Sequence, residues 1–569
     1  MRIALLSNTP DLSPYLGEIF KTWGLRLVQT LTFDQASGLD PAEYPIAVVP
    51  VSDNRPEKAI AEYARRGGTA ICFRPGETLT TLAGLKRLGV KETPLRLRLT
   101  RYPAAGLAGE LLPVVGSAEG YELEENATGL AYLSLPGRFE GETVGIAETG
   151  IGEGRLVCFS FDLPLCVLLL RQGDPGKSEF IPEGDACVRP SHLASDVGPH
   201  DAGWIPYADL MSRVLVDLCL RYSRAPVPLV SHLPGEAPGI LLYSGDEDFA
   251  QVAWNDDELG CVADLGGKMN LYIIPTQTHS TPEDAERYRR HHHIGPHPNL
   301  RPLDGHPIPA RLAEFERQIK LFDKMFGCPS VSLRNHCTAW AGYMEPVEVM
   351  ERLGVRMDAN YFSGTYKSDR EGAPYAAFGG ALPSRFCLPD GRIYDVYQQH
   401  THLTDDGMFG CDDYSFKISP EVFARTLKRI FTDITERYHT PYGVCIHPSN
   451  WVRFSGDQGK ELLLQANKMG LPVWSFDQWV AFWDARDSWH IEELTWSGRH
   501  LRFRLIGQVG HEDLRFLLPD EFEDASLVNV SVNEQPVSTH ACNRYGEGVS
   551  LVSISDDHGS VEICARYNA

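Results

Sequence analysis

The sequence LLYSGDEDFA, at residues 241–250, joins an apolar run to three acidic side chains. The apolar run is typical of a buried strand, and Asp246 and Asp248 follow at its end. Side chains two residues apart point to the same side of an extended chain, so these two carboxylates can face one ion and its bound water. We therefore predict an acidic pair at the carboxyl end of a strand, with an ordinary acidic turn as the alternative.

Three later segments place a histidine after an apolar run in the same way. They read HHHIGPHPN (residues 291–299), SLRNHC (332–337) and GVCIHPSNW (443–451). Carboxylates and imidazoles at the carboxyl ends of barrel strands are the arrangement expected of a catalytic metal site. The four segments predict a mononuclear metallohydrolase whose ligands, far apart in sequence, converge on one divalent cation.

The chain is predicted to be a multidomain α/β protein, because its 569 residues exceed the roughly 250–300 that one core supports. Residues 1–225 alternate strands that are apolar on both faces with helices, which indicates a doubly wound, flavodoxin-like parallel sheet. Residues 226–239 are rich in proline and are interpreted as a linker. Repeated strand–helix units over residues 240–487 favour a deformed (β/α) barrel. Short alternating strands over residues 488–569 favour a β-sandwich.

Composition and charge argue against several classes of function. The formal charge of −23, from 53 Lys and Arg against 76 Asp and Glu, disfavours a nucleic-acid partner. No run approaches the ~18 apolar residues of a membrane span. The N-terminal MRIALLSNTP reads as a strand rather than a signal peptide, so we predict a cytoplasmic protein. Thirteen scattered cysteines without a CxxC motif indicate reduced thiols rather than a structural zinc site.

The order of the four segments resembles that of the polysaccharide deacetylase family, in its NodB-type catalytic domain, over residues 240–487. The first motif of that family is an acidic pair after a strand, in which one carboxylate acts as a base and the other binds the metal. The resemblance implies that Asp246 is the base and Asp248 the metal ligand, although the two roles could be exchanged.

The histidine segments resemble the metal-binding motifs of the family, with one departure. HHIGPHPN resembles a Glu-Ile-Gly-Asn-His string that is followed by a second histidine four residues later; His297 matches the first histidine, but the later position is Arg301. The segment LRNH at residues 333–336 resembles an Arg-x-His variant within the wider family. This resemblance implies that His336 is the other ligand, with His306 in reserve. An Asp-His-His set suits zinc or another borderline first-row ion.

GVCIHPSNW resembles the last motif of the family, a strand that ends in Leu-x-His. The resemblance implies that His447 protonates the leaving amine, because an imidazole with a pKa near ~6.5 gives and regains a proton near neutrality. Arg334 is expected to hold the base carboxylate, with a surface ion pair as the alternative. Trp451 is expected either to stack on a sugar ring or to belong to the core.

Two further segments, MDANYFSG (residues 357–364) and YQQHTHLTDD (397–406), lie where the family places substrate loops. Polar groups clustered in loops are typical of binding sites and equally of solvated turns. Their polar residues are second-rank candidates for substrate binding: Asp358, His400, His402, Asp405 and Asp406.

Residues 1–225 resemble class I glutamine amidotransferase-like domains, such as the trimerisation domains of some galactosidases, in RIALLS, YARRGGTAICF and GEGRLVCFSFDLP. A nucleophile of this kind lies on a tight glycine-flanked turn after a strand. Cys72 instead lies within the strand AICF, with no glycine on either side. The domain is therefore expected to be non-catalytic, and the resemblance suggests a homo-oligomer.

These patterns predict a metal-dependent hydrolase that cleaves an amide C–N bond. The expected substrate is an N-acetylated saccharide or a related small amide, and the expected cofactor is one divalent ion, zinc or a similar metal. One alternative is a non-catalytic glycan-binding protein that retains the barrel. The other is an amidotransferase-like enzyme that acts through residues 1–225.

Overall fold

The computed structural model describes residues 1–8, 10–99, 107, 110–136, 143–194, 205–363, 379–410, 415–554 and 559–568. Its N-terminal strands are β1 (Ile3–Ser7), β2 (Val28–Thr32), β3 (Ile46–Val49), β4 (Thr69–Phe73), β5 (Leu85–Lys91), β6 (Leu95–Leu99), β7 (Leu111–Val114), β8 (Ala118–Leu123), β9 (Ala127–Ser134), β10 (Thr143–Ile151) and β11 (Gly154–Phe159). The helices of this region are α1 (Ser13–Thr22), α2 (Glu57–Arg65), α3 (Glu77–Leu82), α4 (Leu163–Gln172) and α5 (Tyr207–Arg221).

The N-terminal strands form a mixed sheet in the order β2-β1-β3-β4-β11-β10-β9-β6-β7, and β5 pairs separately with β8. The first five strands of this order are parallel, in the sequence found in flavodoxin-like sheets. The predicted parallel sheet is wrong for the other four strands, which are antiparallel. A tight turn between β10 and β11 reverses the chain there, and parallel neighbours need a longer crossover.

Helices cover both faces of this sheet. Leu16 and Phe20 of α1 share an apolar cluster with Leu5, whereas Ile60 of α2 shares a different cluster with Leu6. Successive strand residues point to opposite faces, so Leu5 and Leu6 meet opposite helical layers.

The central strands are β12 (Leu229–Val230), β13 (Ile240–Asp246), β14 (Asn270–Ile273), β15 (His293–Pro296), β16 (Ser332–Leu333), β17 (Met357–Asp358), β18 (Ser384–Cys387), β19 (Ile393–Gln398), β20 (Leu403–Thr404), β21 (Pro441–Ile446) and β22 (Val473–Trp474). The helices are α6 (Val252–Asp264), α7 (Pro282–Tyr288), α8 (Ile308–Phe326), α9 (Glu345–Leu353), α10 (Asp405–Phe409), α11 (Pro420–Asp433), α12 (Pro448–Asn450), α13 (Gly456–Lys468) and α14 (Phe476–Asp487).

The central region contains two sheets whose neighbouring strands are parallel, except that β18 is antiparallel to β19. One sheet has the order β15-β14-β13-β21-β20, with β22 beside the first half of β13, and the other has the order β16-β17-β19-β18. A deformed barrel was predicted here, and among the described residues its strands do not close into one ring. β16, β17 and β20 are two residues long, which leaves few backbone groups to join the sheets. Because β13, β14, β15 and β21 are parallel, their carboxyl ends lie at one edge.

The C-terminal strands are β23 (His490–Ser497), β24 (His500–Gly507), β25 (Arg515–Pro519), β26 (Glu521–Phe522), β27 (Ala525–Val532), β28 (Gln535–Val537), β29 (His540–Arg544), β30 (Glu547–Ser553) and β31 (Gly559–Asn568). They form two sheets, ordered β12-β25-β30-β29 and β23-β24-β31-β27-β26, with β28 paired to β27. All of these pairings are antiparallel. They join strands of the C-terminal region, except that β12 of the central region pairs with β25. Phe503 and Phe516 bring the two sheets together, with their ring centroids 5.7 Å apart.

The segment predicted as a linker is instead part of this C-terminal structure. Leu229 pairs with Leu517 and Val230 with Phe516, so β12 is an edge strand. The buried Val230 amide donates to the carbonyl oxygen of Gly24 in the N-terminal region. The prolines keep the segment extended, and edge strands tolerate them. None of the helices within the described ranges is long and apolar enough to cross a membrane.

Candidate metal centre

The acidic pair lies at a turn rather than in an extended strand. β13 ends at Asp246, and Asp248 adopts the left-handed conformation with φ of 50°. The Ala250 amide donates to the Glu247 carbonyl oxygen over 2.8 Å, which closes the turn. The predicted extended geometry of the pair is therefore wrong. A left-handed residue reverses the chain direction and points the Asp248 carboxylate back towards the strand ends.

Glu247 anchors this turn, a role that the sequence pattern did not reveal. Its side chain is completely buried. Its Oε1 accepts hydrogen bonds from Asn255 Nδ2 at 2.9 Å, Thr278 Oγ1 at 2.9 Å and Ser280 Oγ at 2.6 Å. The sequence held one signal of this role. In an extended chain Glu247 points to the side opposite Asp246 and Asp248, so it could not share their ion.

Asp248, His297 and His336 form a group whose ligand atoms lie within 4.8 Å of one another. Asp248 Oδ1 lies 2.9 Å from His336 Nδ1 and 3.2 Å from His297 Nε2. Burial would raise the pKa of Asp248, but its close contacts with the His297 and His336 imidazoles hold it far below its usual range. His306, the reserve candidate, is exposed and belongs to no such group in the part of the chain that the structure describes.

The hydrogen bonding of His297 suits a metal ligand. Its Nδ1 lies 2.7 Å from the Arg334 carbonyl oxygen, which only accepts, so Nδ1 carries a proton. A neutral ring then presents its Nε2 lone pair to Asp248 Oδ1, 3.2 Å away. Two acceptors at this distance need a cation or a proton between them. Backbone carbonyls commonly fix the tautomer of metal-bound histidines in this way.

Asp246 is held by a buried arginine. Arg334 Nη1 donates to Asp246 Oδ1 and Ser244 Oγ, each at 2.9 Å, and Nη2 donates to Thr401 Oγ1 at 2.9 Å. Burial would raise the pKa of Asp246, but Arg334 and two nearby imidazoles outweigh it and keep the pKa below its usual range. Arg334 is 1% exposed, so the alternative of a surface ion pair does not apply.

His447 forms a hydrogen-bonded pair with Asp405. Its Nδ1 lies 2.6 Å from Asp405 Oδ1, and Ser455 Oγ donates to Asp405 Oδ2 at 2.8 Å. Burial would lower the pKa of His447, but Asp405 raises it well above its ordinary value. The other ring nitrogen, Nε2, lies 3.8 Å from Asp248 Oδ2. Asp405 is completely buried, and its carboxylate contacts His447 rather than solvent; that it binds substrate stays a prediction.

Asp358 and His400, also predicted to bind substrate, lie in the interior. Both are completely buried. Asp358 accepts hydrogen bonds from the Asn360 amide and side chain, and burial raises the pKa of Asp358 to about 7. The His400 ring stacks on Tyr361 with centroids 5.9 Å apart, and burial lowers the pKa of His400 well below its ordinary value. In these positions they support the fold and offer no surface to a ligand.

His402 and Trp451 are likewise parts of the protein interior. His402 Nδ1 accepts from the Gly443 amide at 2.9 Å, and its Nε2 lies 3.1 Å from the Gly380 carbonyl oxygen. Burial lowers the pKa of His402 to about 4, so the ring is neutral and structural. Trp451 is 8% exposed, and its ring lies directly against Gly459. Of the two roles expected for Trp451, this packing favours the core.

Cys72 lacks the properties of an amidotransferase nucleophile. It is completely buried in β4, and burial raises the pKa of its thiol to about 12. Reactive cysteines are exposed in part and have lowered pKa values. The geometry therefore does not support catalysis by this cysteine in the N-terminal sheet.

Comparisons with known proteins identify no family. No family model matches the chain, and no curated protein matches it. Among solved structures, a carbohydrate deacetylase named Agd3 has a TM-score of 0.41 and 10% identity, covering 99% of this chain and 98% of that chain. A protein of Mycobacterium smegmatis assigned as a polysaccharide deacetylase has a TM-score of 0.32 and 15% identity, covering 46% and 95%.

The N-terminal part has other structural neighbours. A β-galactosidase from Rahnella sp. R3 has a TM-score of 0.22 and 14% identity, covering 28% of each chain. TM-scores of this size support no argument about fold or function.

Proposed function

We propose that this chain is a metal-dependent hydrolase of an amide C–N bond, acting on an N-acetylated saccharide. The supporting observation is that three kinds of group meet at one edge of the strands. These are a carboxylate with two imidazoles, a carboxylate bound to a buried arginine, and an imidazole bound to a buried carboxylate. Metal-assisted hydrolysis needs ligands, a base and an acid in this proximity.

Asp248, His297 and His336 would hold the cation. One carboxylate oxygen and two imidazole nitrogens suit zinc or another borderline first-row ion and leave positions for water and substrate. When bound there, a divalent ion lowers the pKa of a coordinated water and polarises the amide carbonyl.

Asp246 would act as the base. Its lowered pKa keeps the carboxylate ionised, and Arg334 holds Oδ1, while Oδ2 points towards His297 at 3.8 Å. Oδ2 is therefore the oxygen placed to accept the proton of the attacking water. Fixing the base in this way removes the entropic cost of orienting it during the reaction.

His447 would act as the acid. Asp405 Oδ1 accepts a hydrogen bond from Nδ1, so in the protonated ring the proton on Nε2, which faces the cluster, is the one that can be transferred. The raised pKa keeps His447 protonated near neutrality. Donation from Nε2 to the amide nitrogen allows an amine to leave, and the products are a carboxylic acid and a free amine.

Metal analysis of purified protein tests the ligand assignment. We expect about one equivalent of zinc or a similar ion in the wild type and its loss in His297→Ala and His336→Ala, because each removes one of only three protein ligands. His306→Ala is the matched control and should keep the metal. Asp246→Asn should also keep it but release amine from N-acetylated saccharides at least about 100-fold more slowly.

Two results would contradict the proposal. One is unchanged metal content in both ligand variants. The other is a metal-loaded wild type that releases no amine from any N-acetylated saccharide, which would favour a glycan-binding protein instead.

A further inference from the structure

Phe249 forms an open aromatic surface at the rim of the metal centre. It follows the ligand Asp248 directly and is 49% exposed. Its ring meets the His336 ring edge-on, with centroids 5.8 Å apart and an interplanar angle of 70°. A large apolar side chain is thus presented to solvent beside two of the three metal-binding residues.

The backbone keeps Phe249 in this position. The residues that flank the turn, Glu247 and Ala250, are completely buried, and the hydrogen bond from the Ala250 amide to the Glu247 carbonyl spans Phe249. Three hydrogen bonds to the Glu247 carboxylate tie the turn to α6 and to the Thr278–Ser280 loop. With both ends anchored, the backbone holds the Cα of Phe249 at the rim of the site.

The Asp248 carboxylate indicates which end of a substrate would meet this ring. Its Oδ1 faces His336, next to Phe249, whereas its Oδ2 faces His447. The nitrogen of the scissile amide must approach His447 to receive a proton. The carbonyl carbon is trigonal, so its acyl substituent points away from that nitrogen, towards the side of the site where His336 and Phe249 lie.

We propose that Phe249 is a specificity-determining residue that contacts the acyl group of the substrate and lets the site accept acyl groups longer than acetyl as well as acetyl itself. This inference rests on the proposed function, since it concerns the substrate of that site. The half-exposed ring leaves apolar area for additional methylene groups, and each methylene that leaves water for such a surface strengthens binding. An acetyl methyl alone would cover little of the ring.

Competition between two acyl chains on the same amine tests this role. The rates of amine release, as kcat/KM, are measured for the N-acetyl and N-butyryl forms of one glucosamine oligosaccharide. We expect Phe249→Ala to lower the butyryl-to-acetyl ratio about 3- to 10-fold. Phe249→Leu should keep most of the ratio. Leu464→Ala, which removes a similarly exposed side chain on α13 (52% exposed), should leave it unchanged.

The ratio separates a contact with the acyl group from a general structural effect, because damage to the metal centre would slow both substrates equally. An unchanged ratio in an active, metal-loaded Phe249→Ala variant overturns this inference and leaves the proposed function intact. Absence of amine release from both substrates by the metal-loaded wild type overturns the proposed function, and this inference with it.

Discussion

At the scale of single residues, the proposed acid and base each depend on one buried partner. Arg334 holds Asp246, and Asp405 holds His447, with N–O distances of 2.9 and 2.6 Å. Ser455 in turn donates to the second oxygen of Asp405 at 2.8 Å. Charge-assisted hydrogen bonds of this kind are strong in a low-dielectric interior. The partners therefore set both the orientation and the protonation of the groups that would react.

Replacement of Asp405 by asparagine should impair the proposed acid without removing the metal. The neutral amide oxygen accepts a weaker hydrogen bond from Nδ1 than the carboxylate does, so His447 is held less firmly and loses the cause of its raised pKa. We expect kcat to fall at least about 100-fold with little change in KM. Metal content should match the wild type. Ser455→Ala should lower kcat less, and a wild-type kcat in Asp405→Asn would contradict the role.

At the scale of secondary structure, the helix after His447 positions several of these groups. α12 continues through a π-helical turn, Trp451–Ser455, into α13. The wider turn directs the buried Ser455 towards Asp405, and π turns are often found at functional sites. Gly459, one turn into α13, allows the Trp451 ring to lie against the helix backbone. The packing of Trp451 against α13 thus depends on Gly459, although glycine is unfavourable within a helix.

Two glycine-to-alanine substitutions test this packing. Gly459→Ala should destabilise the protein by about 1–3 kcal/mol, because the added methyl group overlaps the Trp451 ring. Gly260→Ala, within α6, meets no atom within 4 Å and should stabilise by up to about 1 kcal/mol. Denaturant unfolding measures both changes. Stabilisation by Gly459→Ala would show that the Trp451 ring does not constrain the helix.

At the scale of the whole molecule, buried charges join the regions. Arg171 pairs with Asp209 in the N-terminal region, and Asp209 Oδ2 also accepts from the amides of Ala381 and Leu382 at 2.7 and 3.1 Å. A segment from the N-terminal region reaches the neighbourhood of the candidate metal ligand His336, where Arg189 Nη1 donates to the carbonyl oxygen of Cys337 at 2.6 Å. The regions are therefore parts of one interdependent structure rather than separate units on a linker.

The buried ion pairs of Asp487 join the central and N-terminal regions, and replacing Asp487 tests how strongly they do so. Asp487 lies at the end of α14, is 4% exposed in its side chain, and pairs with Lys21 at 3.0 Å, Arg26 at 2.8 Å and Arg486 at 3.0 Å. Burial would raise the pKa of Asp487, but Arg26, then Lys21 and Arg486, hold it far below its usual range. Asp487→Asn leaves these cations unbalanced and should cost about 3–5 kcal/mol at neutral pH.

The pH dependence of this difference follows from the lowered pKa. The stabilisation is complete above the ordinary aspartate pKa of about 3.9 and is lost as the pH falls towards the folded value. The gap between the thermal midpoints of the wild type and Asp487→Asn should therefore narrow below about pH 4. Asp524→Asn, at an exposed ion pair with Arg499, should change the midpoint little at any pH. A gap that widens on acidification would contradict the assignment.

Much of the local structure could be predicted from the sequence. The strand β13 ends at Asp246, and α2 ends at Arg65 before Gly67, whose φ of 103° favours glycine. These features depend on neighbours within a few residues, where periodicity, caps and turn chemistry act. The same local pattern singled out the polar residues that follow the strands, and parallel strands bring such residues to one edge.

What the sequence determined by itself was therefore the set of groups that meet at the candidate metal site: Asp246, Asp248, His297, Arg334, His336 and His447. Only the tertiary structure decided that Asp405 supports His447 from 42 residues away, and that Leu229 pairs with Leu517 in a sheet. It also decided that Phe249 is open to solvent while Trp451 is buried. Burial and partner choice depend on packing between segments distant in the chain, which local patterns do not encode.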